Sequence, residues 1–162
     1  MYTNEELIAV AKAKKTRTLI AVIPTLAIFL LSIAIFVYGQ INRSEKLWMV
    51  TVALTVLSLG TLLFLYGTWV KPARLYERHI RYMLHGKQIT TTGYVKEISN
   101  EISIQESLPF YPLLLNVGEV NDPEDDRLFY YDAQKEAPPC AVGDKVTVTS
   151  NDRKISSVAK TE

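Results

Sequence analysis

A chain of 162 residues has room for one compact domain of ordinary size, or for a membrane segment joined to a smaller domain. Its hydrophobic share of 48% is gathered in two blocks, so the mean hydropathy of +0.08 averages two different environments. The net charge of +1 carries no sign of a nucleic-acid partner, and a single cysteine, Cys140, excludes an intramolecular disulfide and a cysteine-based metal cluster.

At the amino end, Thr3 and Glu6 have the spacing of a helix capping box, with Leu7, Ile8, Val10 and Ala11 behind them. This predicts a short amphipathic helix over residues 1–17 at the inner membrane interface, with partner binding as the alternative. From Thr18 to Asn42 no residue is charged, and a second uncharged run covers Leu47 to Val70. Each suffices to cross about 30 Å of hydrocarbon, so spans are expected at 18–39 and 47–69, with a loop at 40–46. Core helices of a soluble bundle would keep a polar stripe, and neither run has one. The first run is also too long for a signal peptide's apolar region and lacks a small-x-small cleavage site after it.

Orientation follows from the flanking charges. Lys12, Lys14, Lys15 and Arg17 precede the first span, and Lys71, Arg74, Arg78, Arg81 and Lys87 follow the second. Only Arg43 and Lys46 lie between, so the bias of nine to two puts both termini in the cytoplasm of a multi-pass cell-membrane protein. Tyr38 and Trp48 then mark the outer interface, and Tyr66, Trp69 and Tyr76 the inner one. Ala27 and Ala34 on the first span, and Ala53, Gly60 and Gly67 on the second, repeat every seven residues. Small residues so spaced predict close packing within the hairpin, or a subunit interface, with Thr51, Thr55 and Ser58 adding hydrogen bonds. Neither span holds an Asp, Glu, Lys, Arg or His side chain, which argues against a pump or transporter acting alone.

Pro72 is read as opening a new basic helix over 71–85, closed near Gly86. Arg74, Arg78 and Arg81 fall on one face and would either contact anionic headgroups or serve only as a topology signal. His79 and His85 lie on different faces without ligand partners and are taken as ordinary interfacial residues.

Beyond Lys87 the pattern changes to alternation. Strands are expected at Ile89 to Ile98, bent at Gly93; from Ile102; at Leu113 to Val117, after interruption by Pro109 and Pro112; at Arg127 to Asp132; around Val146 and Val148; and at Lys154 to Val158 after a turn at Asn151 and Asp152. Short strands without a helix predict a small all-β barrel, OB-like or SH3-like, over 86–162, because closure removes exposed edges. The run from Gly143 through Asp144, Val146 and Val148 to Val158, with Gly86 and Gly93 near the front, resembles the OB-type barrels of the membrane-anchored NfeD-like group. That resemblance implies a barrel and a membrane tether but no functional residue, and the acidic insertion between the middle strands departs from it.

Chemical motifs are few. There is no Gly-rich phosphate loop or nucleophile elbow, and no cofactor is expected. Glu119, Asp122, Glu124, Asp125 and Asp126 lack the spacing of a calcium loop and read as a solvated acidic loop. Tyr111, Tyr130 and Tyr131 are a candidate binding surface, but rings set among acidic residues do not suit nucleic acid. Cys140 has only Lys135 or Lys145 as possible basic neighbours and is taken as a quiet thiol. The expectation is a non-enzymatic, membrane-tethered interaction or accessory module, with a protein partner or a second copy of itself in the bilayer. The alternatives are a ligand-gated effector sensing a small molecule such as a cyclic nucleotide, whose layout is similar to that of some bacterial antiviral effectors, and an enzyme.

Overall fold

A computed structural model describes residues 2–118 and 122–161. Two long apolar helices precede a six-stranded β-sheet. The chain divides into a helical unit, Ala9–Arg74, and a second unit made of the residues up to Ile8 together with those from Leu75 onward.

In the helical unit, α1 (Asn4–Ile41) and α2 (Leu47–Leu65) are joined by a tight turn in which the Ser44 N–H donates to the Gly39 carbonyl at 3.0 Å. α1 is one continuous helix, its amino-terminal part leading into the apolar run without a break, because nothing between Ala9 and Arg17 interrupts helical hydrogen bonding. Both α1 and the helical run Leu47–His85 are long and apolar enough to cross a membrane.

The α1 residues buried in the hairpin are Ala21, Thr25, Ser32 and Gly39, and α2 contributes Ser58. The predicted period of seven is present in Thr25, Ser32 and Gly39, but on a different stripe. Ala27, Ala34, Ala53, Gly60 and Gly67 are all outside this buried set, and a Cβ added at Gly60 or Gly67 would meet nothing within 4 Å. Hydroxyls select the register: Ser32 and Thr55 share a 2.8 Å hydrogen bond, and Ser58 donates to the Thr25 carbonyl at 3.0 Å. In an apolar setting a hydroxyl without a partner costs more than a small side chain gains by close approach.

Pro72 does not start a separate helix. The helix runs through it, with Tyr66–Val70 widened into a π-turn in which the Lys71 N–H reaches the Tyr66 carbonyl. A proline ring clashes with the carbonyl four residues back and supplies no N–H, and one wide turn just before it absorbs both defects. Helix α3 (Lys71–His85) then ends at Gly86, as expected.

The strands are β1 (Ile89–Ile98), β2 (Ser103–Gln105), β3 (Leu108–Asn116), β4 (Asp126–Asp132), β5 (Lys145–Asn151) and β6 (Lys154–Lys160), in sheet order β1-β5-β6-β4-β3-β2 with β1 also paired to β3. All pairs are antiparallel except β4 with β6. Val95, Leu113, Leu115, Phe129, Val146, Val148 and Ile155 form the core, each contributing about 1.5–3 kcal/mol by burial.

Two expectations differ from the fold. The prolines do not interrupt β3: the Pro112 carbonyl accepts from the Ser99 N–H at 3.0 Å and the Pro109 carbonyl from the Ala133 N–H at 3.2 Å, each donor one residue beyond the end of a neighbouring strand. Each missing proline N–H therefore falls where the ladder has already ended. The bulge in β1 lies between Val95 and Glu97 and not at Gly93. Gly93 is needed for a close approach instead, since a Cβ there would run into the Asn116 carbonyl.

Candidate functional site

Two hairpin tips face the carboxyl half of α3. The β2–β3 turn holds Glu106 and Ser107 at φ +51° and +66°, and the β5–β6 turn holds Asp152 and Arg153 at +47° and +63°. Paired left-handed residues give the turn whose twist matches two-residue hairpins, although glycine or asparagine adopts it at less cost. Between these tips and α3 lies a cavity of about 380 Å³ lined by Arg78, His79, Tyr82, Glu106, Asp152 and Lys154.

His79 is 6% exposed, and its ring packs edge-on against Phe110 with 5.3 Å between centroids. Its Nε2 lies 2.9 Å from the Tyr2 hydroxyl, which itself donates to Asp132 Oδ2 at 2.9 Å. With the phenol proton committed to the carboxylate, Nε2 carries the hydrogen of this contact, and because burial keeps the ring neutral, Nδ1 carries none. Among the described residues Nδ1 has no hydrogen-bond partner. Burial pushes the His79 pKa down to about 4, outweighing the opposing pull of the Asp132 charge.

Asp132, 3% exposed, also accepts from the Tyr76 hydroxyl at 3.0 Å and from the Gln134 N–H at 2.9 Å. Both tyrosine hydroxyls are held above the ordinary phenol range, first by burial and then by the Asp132 charge. Outside this cluster Lys135 pairs with Glu6 at 2.5 Å and sits 4.7 Å over the Tyr2 ring. The first turn of the chain is thus clipped to α3 and to the end of β4, and a carboxylate holding three hydrogen bonds has little capacity left for a substrate.

The residues singled out in the sequence are scattered. Arg74 touches the Tyr66 hydroxyl at 3.3 Å, Arg81 pairs with Glu77 at 2.8 Å, and Arg78 lines the cavity 4.0 Å from Glu106. Tyr111 and Tyr131 are direct cross-strand partners, and Tyr131 packs on the core. Tyr130 points to the opposite face, where it meets Phe110 edge-on, so the three rings do not form one surface. His79 is buried, whereas His85 is exposed. The Cys140 thiol is half-buried, and burial and the Asp144 charge raise its pKa against the pull of Lys160.

Among the described residues no group of three His, Cys, Asp or Glu side chains is placed to hold a metal ion. Glu119 lies outside the described residues; Asp122 caps the short turn Pro123–Asp125 through the Glu124 N–H, and Asp126 takes Lys96 at 2.7 Å. Sequence alone does not reveal the cluster of Tyr2, Tyr76, His79 and Asp132, because Tyr2 lies 77 and 130 residues from its partners. The one available signal was an aromatic residue immediately before a capping box, a position that often packs back on its helix. No family model matches this sequence, no curated protein is similar to it, and no solved structure matches it.

Proposed function

We propose that this chain is a two-pass membrane protein that holds a small OB-type barrel at the cytoplasmic face, where it serves a protein partner, or a second copy of itself, as an interaction or accessory module and not as an enzyme. One observation carries the membrane placement: in their most apolar stretches only 17% of α1 and 6% of the Leu47–His85 helix is buried, so apolar side chains face outward around the girth of both. The flanking charge bias supports the orientation. A ring of pairings, β1–β3–β4–β6–β5–β1, antiparallel except at β4–β6, supports a five-stranded Greek-key barrel with β2 as an extension. The polar cluster around Asp132 ties the chain together, which fits an accessory role.

Cysteine labelling in intact cells tests the placement. Cys140 is a poor reporter because its thiol is half-buried, so it is replaced by Ser and single cysteines are placed at Arg43 and at exposed Asn100. An impermeant maleimide should modify Arg43→Cys in intact cells and Asn100→Cys only after permeabilisation; the reverse order rejects the orientation, and equal labelling of both rejects the spans. A second reading, a membrane effector whose β-domain senses a small molecule, is favoured by the cavity at α3 with its Arg78, Lys154 and His79.

A further inference from the structure

We propose that the cavity between α3 and the two hairpin tips is a site for a phosphomonoester, and that the Glu106 carboxylate occupies its cationic end as an intramolecular plug. This rests on the sensing reading of the β-domain and not on the membrane placement, so either the labelling experiment or the one below can fail without the other.

Lys154 leaves only 13% of its side chain exposed and meets Glu106 Oε1 at 2.9 Å, while Arg78 stands 4.0 Å from Oε2. Two cations from different elements therefore converge on the two oxygens of one anion, the arrangement in which Lys and Arg receive a phosphate. Glu106 is not seated by the fold. Its side chain is 60% exposed, and it sits in the left-handed region at a hairpin tip where a glycine would be less strained. When Glu106 leaves, Lys154 remains as a poorly hydrated cation in a cavity wall, which a phosphate dianion or monoanion satisfies. His79 and Tyr82 line the same cavity and bring polar groups able to hydrogen-bond a phosphate oxygen. Asp152 and Asn151, on the same hairpin tip as Lys154, also line the cavity and bring acceptor oxygens, which favours a monoester whose other substituent carries hydroxyl donors, such as a glycerol or sugar. A volume of about 380 Å³ is within the range of small-molecule sites. Two sources carry this chemistry, a soluble phosphomonoester and the headgroup of phosphatidic acid.

The test uses the full chain in uncharged detergent micelles, titrated calorimetrically with inorganic phosphate and with glycerol 3-phosphate, and in nanodiscs with or without phosphatidic acid. Glu106→Gly keeps the turn conformation and removes the plug, and Glu106→Gln keeps side-chain length without charge. Both should bind about tenfold more tightly than the unmodified chain, since apparent affinity scales with the fraction of molecules whose site is open. Lys154→Met should abolish binding in either background. A gain seen only with phosphatidic acid assigns the site to the headgroup, and a gain seen only in solution assigns it to a soluble ester. Equal affinity with and without the Glu106 carboxylate, binding that survives Lys154→Met, or no binding of any probe overturns the proposal.

Discussion

At the residue scale, His79 controls how the β-domain responds to acid. Its pKa is about 4 in the folded chain, against about 6.5 for a free imidazole. The folded state holds it neutral, so between these values the unfolded chain binds the extra proton and stability rises with pH. Stability owed to the neutral ring is fully present above about pH 6.5 and lost as pH falls toward 4, by roughly 3 kcal/mol in all. The carboxyls of Glu106, Asp126 and Asp144 are shifted downward, so their contributions disappear only below the ordinary carboxylate range. Urea unfolding followed through β-domain amide exchange at pH 7, 5.5 and 4.5 should show this slope, and His79→Gln should flatten it. A slope unchanged in His79→Gln would assign the acid sensitivity to other groups. None of this was legible in the sequence, where His79 and His85 look alike; only burial against Phe110 and the bond to Tyr2 separate them.

At the scale of elements, the hairpin shows why a seven-residue period does not by itself choose a face. Two stripes share that period, one of alanine and glycine and one of Thr25, Ser32 and Gly39, and the second is the buried one: Ser32 bonds Thr55 across the contact, Ser58 donates to the Thr25 carbonyl, and the Thr25 hydroxyl is satisfied within α1 by the Ala21 carbonyl. Ser58→Ala is therefore expected to weaken the hairpin by about 0.6–2 kcal/mol, whereas Gly60→Ala should leave it unchanged or more stable, as alanine favours helix. Unfolding in mixed micelles, followed by energy transfer between dyes at the two helix ends, measures both. If Gly60→Leu leaves this signal intact but removes crosslinked dimers, the exposed stripe is a subunit interface; loss of the hairpin in Gly60→Ala would contradict burial of the hydroxyl-bearing stripe. The prolines of β3 make the same point in the sheet. A proline argues against a central strand, and Pro109 and Pro112 are accommodated only because β4 and β1 each end opposite them.

At the scale of the whole molecule, the first residues of the chain belong with the last. Tyr2 is buried at 6% exposure and joins His79 and Asp132, and Glu6 pairs with Lys135. Tyr2→Phe retains the ring but removes the hydroxyl that serves both partners, and should destabilise the β-domain by about 1–3 kcal/mol, the cost of leaving buried polar groups unpaired. Hydrogen exchange in β5, whose Val146 and Val148 are fully buried, should accelerate accordingly, with α2 unaffected. Unchanged protection in β5 would mean that the amino-terminal turn only rests on the domain.

The sequence by itself determined what depends on local composition and period. Two uncharged runs of spanning length specify two apolar helices, alternating valines and isoleucines specify strands, Gly86 falls where expected, and the turn expected at Asn151 and Asp152 lies one residue on, at Asp152 and Arg153. These follow from near neighbours along the chain, whose side chains share a face every two or about four residues. Tertiary structure alone decided which stripe the hairpin buries, that β1 pairs with both β3 and β5, and that Tyr2, His79 and Asp132 meet. Such contacts link residues tens to more than a hundred positions apart, and no local period encodes them. Their physical basis is the requirement that every buried hydroxyl, imidazole and carboxylate find a partner, which is met only once the whole chain has folded.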